Sequence, residues 1–80
     1  MSSSSELILA IGLALFGAQW KRGLGRALNV NERTINRWVA PEPIEPRADN
    51  WPKLATLMRE RIAELNRLLP EVERRAAGER

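Results

Sequence analysis

Apolar residues fall in helical steps almost from the start of the chain. Leu7, Ile8, Ile11, Ala14, Leu15 and Ala18 recur every three or four positions, and Leu9, Leu13 and Phe16 widen the stripe. Such steps place side chains on one face of an α-helix. They predict a first helix over residues 5–17, with Ser5 as its cap and Glu6 complementing the positive helix end. The width of the stripe predicts burial on more than one side. Gly17 is the expected stop, because glycine adopts the left-handed conformation common at helix ends. A second helix is predicted from Trp20 to Leu28, with Trp20, Leu24, Ala27 and Leu28 on one face and Lys21, Arg22 and Arg26 on or beside the opposite one.

Asn29-Val30-Asn31 then interrupts the pattern with two residues suited to turns and caps. Asn29 tolerates positive φ, and Asn31 is a strong cap for a third helix over 32–39. That helix turns Ile35, Trp38 and Val39 inward and leaves Glu32, Arg33, Asn36 and Arg37 outside. Between residues 40 and 49, Pro41, Pro43 and Pro46 remove backbone donors, which predicts a loop and argues against a β-wing. A fourth helix is expected from Asn50, as its cap, to Leu69, with Pro52 in the first turn and a break at Pro70. Along it Ala55, Met58, Ile62, Leu65 and Leu69 alternate steps of three and four, and Leu54, Leu57 and Leu68 extend the stripe to one side. One part of this helix can close the core while the rest pairs with a second copy; a single broad core face is the other reading. Residues 1–4 are expected to form a flexible tail, 5–69 the domain, and 70–80 a charged extension.

Composition narrows the chemistry. Eighty residues make one small domain, and 44% hydrophobic with 29% charged residues is the balance of a soluble globular protein. There is no cysteine and no histidine. Disulfides, thiol nucleophiles, imidazole bases and the commonest zinc ligands are therefore missing, and no catalytic residue, metal or cofactor is expected. Glu42 with Glu45 and Glu71 with Glu73 lie in loop or tail segments and read as solvated charge. Trp20, Trp38 and Trp51 read as core packing. The apolar run from Leu7 to Ala18 is shorter than the roughly 20 residues of a membrane span, and no basic stretch precedes it as in a secretory signal. A cytoplasmic protein without a membrane partner is the expectation.

The net charge of +3 is modest but unevenly placed: residues 21–40 hold Lys21, Arg22, Arg26, Arg33 and Arg37 against Glu32 alone. A local basic excess is the electrostatic footprint of a polyanion binder, and equally compatible with a plain solvated face.

The same segment, KRGLGRALNVNERTINRWVA, resembles the helix-turn-helix of the Cro/repressor-type regulators. Leu24 followed by Gly25 matches a hydrophobic residue and a small one that lets two helices cross closely. Asn29 stands where the family usually has glycine, Val30 matches a buried apolar residue, and Asn31 caps the next helix. Ile35 and Trp38 match the positions that seat the recognition helix. Gly25 replaces the commoner alanine, at up to about 1 kcal/mol of helix propensity.

The resemblance implies an all-α, lambda-repressor-like domain of four to five helices. It further implies a sequence-specific regulator of transcription that binds double-stranded DNA through the helix over 32–39, as a dimeric repressor on an inverted repeat. Arg33 and Arg37 would then read guanine, Asn36 adenine and Glu32 a cytosine amine. Arg37 can alternatively lie on a phosphate, and Glu32 can simply complement the helix end. Gln19, Lys21, Arg22, Asn31 and Thr34 are the candidate phosphate contacts. Arg26 is expected to be solvated or ion-paired within the chain, and Arg47 in the proline loop is a weaker candidate for DNA. The implied partners are DNA and a second copy, joined through the helix over 50–69, with no small-molecule ligand. A protein-interaction module on the same fold, such as an antitoxin or a phage-encoded inhibitor, is the competing reading.

Overall fold

Ser3 and Glu6 open the first helix by satisfying each other's backbone. The Ser3 hydroxyl accepts from the Glu6 N–H at 3.1 Å, and the Glu6 carboxylate accepts from the Ser3 N–H at 3.3 Å. This reciprocal pair is a capping box, which requires a carboxylate three residues after the capping serine. Ser5 has no such partner, so it lies inside the helix and the expected cap moves to Ser3. The computed structural model describes residues 3–78. Of the tail expected over 1–4, Ser3 caps the helix and Ser4 begins it, and residues 1 and 2 lie outside the described residues, as do 79 and 80 at the far end.

The chain is all-helical, with no strand among the described residues. Helix α1 runs Ser4–Phe16 and ends at Gly17, whose φ of 71° is positive as expected of a glycine stop, while its ψ of −145° lies outside the left-handed helical region. A single 3-10 turn, Gly17–Gln19, leads into α2, Trp20–Leu28. Helix α3 follows over Glu32–Trp38, one residue shorter than predicted, since Val39 already leaves helical geometry. The proline loop comes next, and α4 spans Asn50–Ala76.

Ile8, Ile11 and Leu15 of α1, Trp20, Leu24 and Leu28 of α2, Ile35 and Trp38 of α3, and Leu54 of α4 form one core. Phe16, Val30, Val39, Trp51 and Leu57 are half-buried against it. At the crossing of α1 with α2 the backbone comes so near the Trp20 indole that a Cβ at Gly12 would overlap the ring. The proline loop is tied down at three points. The Ile44 N–H donates to the Arg37 carbonyl at 3.0 Å, the Ser4 hydroxyl donates to Glu45 at 2.7 Å, and Pro46 is buried.

Further expectations fail on packing and local bonding. Leu7, Leu9 and Leu13 do not find a second neighbour and stay 43–48% exposed, so α1 is covered on one side only. Ala27 lies outside the core, on the rim of a groove beside Leu57. Asn50 is the first residue of α4 and is buried, its N–H donating to the Arg47 carbonyl at 3.0 Å, while Asp49 precedes it without a side-chain cap bond.

Helix α4 also passes through Pro70 instead of breaking there. Proline deletes one backbone hydrogen bond and crowds the preceding turn. In this stretch every flank is exposed, so water reaches the freed carbonyl, and residues 71–76 contain no stop. The helix ends at Ala77, followed by Gly78 with φ 79°. Ser4–Leu28 is by length and composition apolar enough to cross a membrane, but the chain turns at Gly17, and α1 alone has 13 residues against the roughly 20 a span needs.

Candidate functional site

The connection between α2 and α3 is set by one residue in a conformation few side chains accept. Asn29 has φ 58° and ψ 46°, squarely left-handed. It reverses the chain so that its own N–H donates to Arg26 and the Val30 N–H donates to the Gly25 carbonyl at 2.9 Å. These bonds use carbonyls that a helix end leaves unpaired. Asn31 then starts α3, its Oδ1 accepting from the Arg33 N–H at 2.8 Å. That oxygen is thereby committed to the cap.

Gly25 has a more definite reason than close crossing of the two helices. A Cβ there would lie 2.9 Å from the Val30 carbonyl oxygen, a backbone atom of the turn itself. The turn is tight enough that even alanine requires the backbone to shift. Helix propensity lost at Gly25 is the condition for this turn and not a defect in α2.

Helix α3 is seated by Ile35 and Trp38, both buried. With these two facing inward, a helical repeat of 3.6 residues carries Glu32, Arg33, Asn36 and Arg37 onto the outer arc. All four are exposed, while Thr34 is half-buried at the edge. Of the other candidates, Gln19, Arg22 and Asn31 are exposed and Lys21 is half-buried, its ammonium 5.8 Å from the centroid of the Trp20 ring. That contact holds the lysine stem over the indole by cation–π attraction.

The fold brings Gln19, Lys21, Arg22 and Glu32 around one shallow depression between the start of α2 and the start of α3. Arg26 joins Arg22 and Glu32 at a neighbouring depression beside the turn. Arg33, Asn36 and Arg37 line neither of these and lie on the exposed side of α3. Among the described residues no ion pair within 4.0 Å engages Arg22, Arg26, Arg33 or Arg37, so the internal pairing considered for Arg26 does not form. Arg47 lies away from this group, 3.9 Å from Asp49. The arrangement can present guanidinium and amide donors to an anionic or polar surface without first breaking internal bonds. It contains no nucleophile with an adjacent base.

Sequence reasoning missed two features. The capping box at Ser3 was signalled by Glu6 three positions on. The exposed leucines of α1 were signalled only by the excess width of the stripe. Comparison with protein-family models, curated proteins and solved structures gives no match for this chain.

Proposed function

We propose that this protein is a sequence-specific, double-stranded DNA-binding regulator of transcription, with α2, its turn and α3 acting as a helix-turn-helix of the Cro/repressor type. One observation carries the reading. An outer arc of Glu32, Arg33, Asn36 and Arg37, without an ion pair among the described residues, stands on a short helix anchored by Ile35 and Trp38, and Glu32 at its start borders the same depression as Lys21 and Arg22. An α-helix with its side chains is about 10–12 Å across, which fits the roughly 12 Å width of the major groove.

In this reading α3 lies in the major groove. Arg33 and Arg37 donate to guanine O6 and N7, Asn36 pairs with adenine, and Glu32 accepts from cytosine or complements the helix start. Gln19, Lys21, Arg22, Asn31 and Thr34 meet phosphates and set the register. The simplest mechanism is repression in the cytoplasm by occupancy of a promoter, as a homodimer on an inverted repeat.

Selection of bound duplexes from a random pool tests this directly, and a two-fold symmetric consensus is the expected outcome. Arg33→Ala and Arg37→Ala each cost about 1–3 kcal/mol and relax preference at single base positions, whereas Lys21→Ala weakens all duplexes alike. Equal losses on cognate and random duplexes for all three would falsify the assignment. The exposed leucines of α1 favour a second reading, a protein-interaction module such as an antitoxin or phage-encoded inhibitor. Salt separates the two. A DNA binder with about 6–10 phosphate contacts loses about 10³- to 10⁵-fold in affinity between 50 and 200 mM salt, and contact through leucines does not.

A further inference from the structure

Beyond Leu57, α4 leaves the body of the molecule. Every residue from Met58 to Gly78 is exposed, and the long axis is 53 Å against 26 and 22 Å for the others. The radius of gyration is 15.7 Å, where a compact chain of this length has about 11.6 Å. The accessible surface is 6235 Å², where a compact monomer of 9.1 kDa exposes about 4,900 Å². The surplus exceeds the roughly 800 Å² that each partner contributes to a standard stable interface.

The projecting arm carries an apolar stripe between its charged faces. Met58, Ile62, Leu65, Leu69 and Val72 alternate steps of four and three along it and are 39–60% exposed. Alternation at this period is the signature of a seam that pairs with another helix. A second bare surface lies on α1, where Leu9, Leu13 and half-buried Phe16 follow at i, i+4 and i+7, and no charged residue occurs between Leu7 and Gln19. The α1 surface reaches the root of the arm. Phe16 lines a groove there with Leu15, Ala27, Leu57, Glu60, Arg61 and Glu64, on the face of α4 adjoining the seam, and the Arg61 guanidinium lies 6.0 Å from its ring centroid.

We propose that a second copy of the chain fills this corner, its arm running antiparallel to the first, so that each arm covers the Leu9–Leu13–Phe16 flank of its partner. This rests on the homodimer in the functional reading above and specifies its geometry. A parallel pair would bury the seam alone and leave the α1 leucines in water, with the arm ends far from both bodies. Antiparallel arms return Leu69 and Val72 towards the partner's corner and dry both surfaces in one two-fold contact.

The test needs no DNA, so its failure is distinct from failure of DNA recognition. At about 100 µM, where a micromolar complex is saturated, sedimentation shows a dimer. Leu65→Glu and, separately, Leu13→Asp each weaken it at least about 30-fold while helical circular dichroism is retained. Because the chain has no cysteine, single replacements report cleanly. Under oxidation a mixture of Leu13→Cys and Val72→Cys chains forms the mixed disulfide, and Val72→Cys alone does not link to itself. Self-linkage of Val72→Cys means parallel arms and overturns the proposal. So does a dimer indifferent to Leu13→Asp, or a monomer that associates only with lipid vesicles or another protein.

Discussion

The body and the arm of this molecule are built from equally regular helical patterns, yet only one of them is packed. In α2 and α3, Leu24, Leu28, Ile35 and Trp38 at helical spacing are buried. On the arm, Ile62, Leu65 and Leu69 at the same kind of spacing are more than half exposed. Amphipathic periodicity states that a face wants a neighbour, and only the rest of the fold supplies one. The contrast also locates stability. The body holds the buried apolar contacts, whereas the arm has its backbone bonds, a Glu64–Arg67 pair at 2.6 Å and the Arg61 guanidinium over Phe16 at its root.

The same charge placed in each of the two regions breaks the comparison most sharply. Ile35→Asp puts an unpaired carboxylate at a fully buried position and is expected to destabilise the body by about 3 kcal/mol or more, read by thermal or urea unfolding. Ile62→Asp at low protein concentration leaves that transition within about 0.5 kcal/mol, because an exposed site has no core to disrupt. Equal losses for the two would mean that the arm folds back onto the body.

Within the body, the turn offers a finer test. Asn29→Ala is expected to cost about 1–2 kcal/mol, the penalty for an ordinary side chain in the left-handed region, while Asn29→Gly is neutral or mildly stabilising. Gly25→Ala separates propensity from geometry. It stabilises an isolated helix by up to about 1 kcal/mol, yet lowers stability here because its methyl meets the Val30 carbonyl oxygen. A rise in melting temperature would show that the turn has slack.

The smallest effect belongs to the arm. The Arg67 hydrogen bond and charge hold the Glu64 carboxyl below its ordinary pKa and hold the Arg67 guanidinium above its own. A carboxyl depressed in the folded state contributes above its unfolded pKa and loses that contribution as pH falls through the folded value. Acidification through the carboxylate range should therefore trim arm helicity slightly, and Glu64→Gln should remove that part of the acid dependence. The pair is fully exposed, so overall unfolding should not register it.

Much of the fold was legible because its determinants are local. The stop at Gly17, the span Trp20–Leu28, left-handed Asn29 and the Asn31 cap each follow from what one residue or one turn of helix can do. The outer arc of α3 is equally local, since burying Ile35 and Trp38 leaves Glu32, Arg33, Asn36 and Arg37 only the opposite side. The capping box at Ser3 was local too, and was overlooked in favour of the serine nearest the apolar run.

Where the helices lie and which residues each turns outward were thus inherent in the order of the amino acids. Only the tertiary arrangement decided that Leu9 and Leu13 stay wet, that Ala27 and Leu57 border a groove, that α4 outruns the body past Pro70, and that Gly25 lies against the Val30 carbonyl. Backbone conformation answers to neighbours within a few residues. Burial and close approach belong to pairs of elements, and no single stretch of sequence contains its partner.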